Sequence, residues 1–151
     1  QFADMRAAYD ALEDRLKDKI EGLVADHSIN YSRGTNGFAD FSPGEIQPAV
    51  PQTVVRVHPG SKRKTLYLAS HAERIHGMSL PEGRILLYDL MDHATQQQFV
   101  HTHHWRLGDL VIWDDRCTMH RARDYDTTTP RDMRRTTVSD VAPTVEQAMV
   151  A

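Results

Sequence analysis

A mainly β fold with flanking helices is expected from three features of the chain. Short β-branched and apolar runs alternate with turn residues, two stretches carry helical apolar spacing, and the 151-residue composition is that of one ordinary globular domain.

Met5, Ala8, Leu12, Leu16, Ile20 and Leu23 recur every three or four residues with charged residues between them, which predicts an amphipathic helix with Asp4 as its N-cap. Residues 28–52 hold Gly34, Gly37, Pro43, Gly44, Pro48 and Pro51 without a steady period. They read as a long irregular connection, the kind of segment that often forms a functional lid. Residues 53–58 and 65–69 form a hairpin-like pair around Pro59-Gly60-Ser61-Lys62-Arg63. Ser79-Leu80-Pro81-Glu82 then has the chemistry of a helix start, and Leu86, Leu87, Leu90, Met91 and Ala94 supply an apolar face for a second helix ending near Gln98. From Phe99 to near Val141 the pattern is β, with runs at 99–105, 110–113, 117–121 and 133–138, as in part of a sandwich or barrel. The tail from Ala142 is expected to fray, and no repeat, low-complexity segment or domain boundary interrupts the chain.

Composition narrows the function classes. With 26% charged and 40% hydrophobic residues, disorder, collagen and coiled coil are excluded as descriptions of the whole. No apolar run reaches the roughly 18 residues of a membrane span, and the first residues lack a signal-peptide pattern. Cys117 stands alone, so no internal disulfide forms and the cytoplasm is the expected compartment. A net charge of −3 argues against a general nucleic-acid binder. Residues 121–135, however, carry five arginines against three aspartates, an island suited to a small anionic ligand.

Nine histidines supply candidate metal ligands and acid/base groups. His101 and His103 share one face of a strand and could bind metal, as in a mononuclear zinc hydrolase; the alternative is a half-exposed strand. His71 and Glu73 could supply two ligands of a facial triad with His120 as the third, or else a strand end and a polar turn. His120 follows a Gly-Asp turn and a buried-looking strand, where a neutral imidazole could hold Fe(II) or simply sit in the core. Arg131 and Arg135 share a face if their segment is a strand, and two such guanidiniums can grip two carboxylates bidentately; otherwise they are solvated edge residues. Cys117 reads as a small buried apolar residue, and Asp114-Asp115 as a turn former.

Several stretches together resemble the Fe(II)- and 2-oxoglutarate-dependent dioxygenases of the TauD/TfdA family: Asp4-Met5-Arg6-Ala7-Ala8-Tyr9-Asp10-Ala11-Leu12, His58-Pro59-Gly60-Ser61-Lys62-Arg63-Lys64 with Leu66-Tyr67, Trp105 to Asp114, Asp115 to Ala122, and Arg131 to Thr137. The aryloxyalkanoate-degrading branch is the most similar. The resemblance implies a double-stranded β-helix (jelly roll), incomplete in this chain, with 1–151 as the C-terminal portion of a single domain. It implies Fe(II) and O2, with 2-oxoglutarate as cosubstrate, and hydroxylation of a C–H beside a heteroatom, so that an aryloxyalkanoate collapses to a phenol and an oxoacid. His120 matches the distal iron-binding histidine, Arg131 the arginine that pairs with the C5 carboxylate of 2-oxoglutarate, and Arg135 the one associated with the acidic group of the primary substrate. In the family a His-x-Asp pair and a 2-oxoglutarate-contacting threonine precede the first helix, so these are expected upstream of Gln1, and this chain alone is expected to be inactive. Tyr31, Phe38 and Phe41 in the irregular connection hint at an aryl group. The expected partners are a small-molecule carboxylate and further copies of the chain in a homo-oligomer, with no nucleic acid and no membrane. Rival readings are a taurine-type sulfonate dioxygenase and a non-catalytic β-sandwich module.

Overall fold

The computed structural model describes residues 1–38 and 42–139. Among these, helix outweighs strand: β1 is Phe2–Asp4, α1 Met5–Asp10, α2 Asp14–Ile20, β2 Val24–His27, α3 Ile29–Thr35, β3 Val50–Thr53, β4 Val55–Val57, β5 Lys64–Leu66, β6 Ala72–Ile75, α4 Leu80–Ala94, β7 Val100–His101 and β8 Thr118–His120, with short 3-10 turns at Pro43–Glu45 and Gln97–Phe99. The fold is mixed helix and strand, so the mainly β expectation is corrected. The strand-like sequences at 110–113 and 133–138 have no neighbouring strand to pair with among the described residues and run irregular and largely exposed. Leu110 and Ile112 stand in solvent along the first of these stretches, as does Leu107 in the turn before it.

All strand pairs are antiparallel. One sheet has the order β7-β1-β8, a second β3-β2-β6, and β4-β5 form a hairpin. That hairpin is the pair expected around Pro59-Gly60. Its loop is closed by His58 N–H donating to the Arg63 carbonyl at 2.9 Å, with Lys62 in the left-handed region.

Asp4 caps α1 as expected, its carboxylate accepting from the backbone N–H groups of Arg6 and Ala7. The expected single first helix is broken at residues 11–13. The Lys17 ammonium takes the Asp10 carbonyl at the end of α1, at 3.0 Å, and α2 restarts beyond the break. Met5, Ala8, Leu12 and Ile20 are nevertheless all buried, so both halves feed one core and the apolar spacing runs through the interruption. Gly22, at φ +74°, turns the chain out of α2 into β2, a conformation glycine adopts without strain.

The irregular connection expected at 28–52 contains α3, capped by Ser28 Oγ accepting from Tyr31 N–H at 3.1 Å, and ends in β3. Phe41 and the tail from Ala142 lie outside the described residues. The second helix forms with its expected face: Leu86, Leu87, Leu90 and Ala94 are buried against β6 and α1. It ends at Ala94, short of Gln98. β2 and β6 are cross-braced by buried Asp26, which accepts from Arg74 Nε and pairs with His76 Nε2, both at 2.7 Å. No helix among the described residues is long and apolar enough to cross a membrane.

Candidate active site

The first sheet brings its chemistry together through register. Phe2 of β1 stands directly opposite His101 of β7 on one side and His120 of β8 on the other, so the three side chains share one face with Phe2 between the histidines. Trp113 fills the space beside them: its ring lies 5.3 Å from Phe2 and 5.0 Å from His120 between centroids. The Trp113 indole N–H donates to Asp115 Oδ1 at 2.7 Å, and the same oxygen lies 3.5 Å from His120 Nδ1. A carboxylate next to Nδ1 leaves Nε2 as the nitrogen available to a metal.

Beside this row lies a cleft of ≈ 410 Å³ bounded by Phe2, Arg6, His58, His101, Trp113 and Asp114. Asp114 forms the turn expected of it, its Oδ1 accepting from the Arg116 backbone N–H at 2.9 Å. The Arg116 guanidinium, outweighing the burial penalty and aided by His58, holds the Asp114 carboxyl well below the usual carboxylate range. Cys117 is buried as expected, and burial pushes its thiol up. Asp4, at the other side of Arg6, is held below its ordinary value: burial, which opposes ionisation, is outweighed by hydrogen bonds from Arg6 and the α1 N-terminus.

His103 lines the same cleft, where its Nε2 is paired with Asp109 at 3.0 Å and its ring stands edge-on to Trp105, off the two-residue strand β7. The other sequence candidates fall elsewhere. His71 lies just before β6 with Nδ1 2.6 Å from Ser32 Oγ, and Glu73 lies in β6; both belong to the second sheet's side of the molecule, apart from β8. Tyr31 is covered by the Arg84 guanidinium, 5.0 Å above its ring, and is taken up by α4. Arg131 and Arg135 are exposed in the irregular segment after β8, where the Arg131 guanidinium lies 4.8 Å above the Tyr125 ring. Their shared face, expected from strand geometry, is not formed because that segment pairs with no strand among the described residues. Sequence reasoning gave His58 no role. Its partner Asp114 is 56 residues away, so no local spacing announces the contact.

Residues 1–137, from β1 through the arginine island, match one family, described as "Taurine catabolism dioxygenase TauD, TfdA family". The chain belongs to that family. It is 46% identical over 144 residues to the alpha-ketoglutarate-dependent 2,4-dichlorophenoxyacetate dioxygenase of Cupriavidus pinatubonensis, covering 94% of this chain and 50% of that protein. To the (S)-phenoxypropionate/alpha-ketoglutarate-dioxygenase of Sphingobium herbicidovorans it is 40% identical over 140 residues, covering 87% of this chain and 49% of that protein. Among solved structures, this TauD/TfdA-family chain superposes on AAD-2 in complex with Mn(II) and N-oxalylglycine at a TM-score of 0.89 and 57% identity, covering 95% of this chain and 57% of that one. On a taurine dioxygenase from Burkholderia xenovorans it superposes at a TM-score of 0.64 and 28% identity, over 78% of this chain and 38% of that one. The chain thus spans about half the length of the curated relatives it matches.

Proposed function

We propose that the protein to which this chain belongs is an Fe(II)- and 2-oxoglutarate-dependent dioxygenase. It hydroxylates a small carboxylate of the aryloxyalkanoate type, cleaving its ether to a phenol and an oxoacid. The observation that carries this reading is the similarity, 46% and 40% identical, to relatives that act on 2,4-dichlorophenoxyacetate and phenoxypropionate, against 28% for a taurine dioxygenase. The residues fit one part of an iron site. His120 offers an imidazole at the exposed end of β8, oriented by Trp113 and Asp115, and it belongs to no group of three close candidate ligands among the described residues. The remaining ligands belong, in this reading, to the half of the relatives' length that this chain does not span.

Fe(II) and 2-oxoglutarate, when bound, supply the oxidation: O2 delivers one oxygen atom to the substrate C–H and one to succinate, with loss of CO2. The work of this chain is to place groups. His120 gives one ligand nitrogen. Arg131 binds the distal carboxylate of 2-oxoglutarate and Arg135 the acidic group of the substrate, each through paired N–H donors. Phe2 and Trp113 place apolar rings beside the histidine. The exposed apolar residues Leu110 and Ile112 fit a strand that pairs with the rest of a double-stranded β-helix.

His120→Ala in the intact protein tests the reading. Aryloxyacetate-dependent succinate release is expected to disappear together with Fe(II) binding, and full retention of either overturns it. Greater release with taurine than with aryloxyacetates would favour a sulfonate substrate instead.

A further inference from the structure

His58 is the buried polar side chain in the cleft wall for which the proposed reaction has no use. It leaves β4 at the mouth of the β4-β5 loop with its ring 10% exposed. The loop is shaped around it: a Cβ on Gly60 would sit 3.1 Å from His58 Cε1. The Ser61 backbone N–H lies 3.0 Å from His58 Nδ1. A backbone N–H can only donate, so Nδ1 accepts, and in the neutral ring the proton sits on Nε2. Nε2–H then donates to Asp114 Oδ2 at 3.0 Å.

Asp114 passes this constraint on. Its carboxylate also accepts from the Arg116 backbone and guanidinium at 2.7 to 2.9 Å, and its carbonyl accepts from Cys117 N–H at 3.1 Å. The Cys117 carbonyl accepts from Met5 N–H, also at 3.1 Å, and the next three residues are β8, paired to β1 and ending on His120. On the other side of Asp114 stands Trp113, whose ring touches His120. Both flanks of the 114–117 turn therefore lead to the same imidazole.

Resting on the dioxygenase reading, we propose that His58 is a positioning residue for His120: by donating to Asp114 it anchors the turn that aims β8, Trp113 and Asp115 at the metal ligand.

The donor atoms of His58, Asp114 and Cys117 lie within 4.8 Å of one another, the spacing of a metal site in their own right. The hydrogen bonds decide against it. Nδ1 is taken by Ser61, Nε2 carries a proton, and Arg116 occupies both oxygens of Asp114. The Arg6 guanidinium acts on Cys117 and Asp114 as well, which repels a cation.

Two variants of the intact protein separate positioning from packing. His58→Gln places an amide N–H where Nε2 was and keeps the bond to Asp114; His58→Asn reproduces the Nδ1 contact with Ser61 but falls short of Asp114. Anaerobic titration with Fe(II) and with Mn(II) is the readout, with kcat and the KM for 2-oxoglutarate measured alongside. The Asn variant is expected to bind either metal about tenfold more weakly and to lose kcat at unchanged KM, while the Gln variant matches the unsubstituted protein. Equal binding by all three proteins overturns the proposal and leaves the dioxygenase reading intact. Equal losses in the Asn and Gln variants also overturn it, since the bond to Asp114 would then not matter. A protein that binds neither metal before substitution overturns both readings. So does a Co(II)-thiolate absorption band abolished by Cys117→Ser in place of binding at His120.

Discussion

Gly83 sits in the first turns of α4, where the helix crosses β6, and replacing it with alanine sets two terms of known size against each other. Alanine favours a helix interior over glycine by about 1 kcal/mol. Against this, a Cβ at position 83 would lie 3.2 Å from the Ile75 backbone nitrogen and 3.5 Å from its Cβ. Ile75 is buried at 2% exposure and paired with Ala25 of β2, so β6 cannot retreat without parting from its neighbour. Overpacking of this kind costs about 1 to 3 kcal/mol. The packing term wins, and Gly83→Ala is expected to destabilise the protein by about 1 kcal/mol. Gly34, near the end of α3, is the control: nothing lies within 4 Å of its Cβ position. Gly34→Ala should therefore gain about 0.5 to 1 kcal/mol. Urea unfolding at unchanged m-value reads both. A Gly83→Ala midpoint equal to or above that of Gly34→Ala would refute the reasoning, because it would mean that β6 yields to the helix at no cost.

Two further outcomes follow from the same structure. His27 is stacked on Tyr67, and burial, reinforced by nearby His71, lowers its imidazole to about 4. The unfolded chain takes up this proton near 6.5 and the folded chain refuses it until about 4, so stability falls as pH drops through that window, by up to about 3 kcal/mol. His27→Gln should flatten the stability profile between these pH values, and an unchanged slope would show that His27 is not its source. Arg131→Ala in the intact protein should raise the 2-oxoglutarate requirement about tenfold or more, the loss of a charged hydrogen-bonding partner, with Fe(II) binding retained; an unchanged requirement would mean that Arg131 only covers Tyr125.

What could be read from the amino acids alone divides along local and non-local lines. The Asp4 cap, the buried face of α4 and the β4-β5 hairpin are carried by neighbouring residues, and each formed where its pattern stood. β1, β2 and β3 escaped notice because they are three or four residues long and their partners lie outside their own neighbourhood; Phe2 pairs with residues about a hundred positions away. The strand patterns at 110–113 and 133–138 show the converse, since alternation and β propensity make no strand without a partner. At the site, the residues around His120 were legible through family resemblance, whereas the tie from His58 to Asp114 joins two loops that nothing in the spacing connects.

The central position of β1 in the first sheet also sets an order of events. Phe2, Ala3 and Asp4 are made about a hundred residues before the strands on either side of them, β7 and β8. Contacts of such long sequence separation carry the largest loop-closure cost and form late. The second sheet and α4 draw their residues from the middle of the chain and need not wait. During synthesis, then, the β2-β3-β6 half with its helix can assemble while Phe2 is still without neighbours. The histidine row is completed only when residue 120 has left the ribosome.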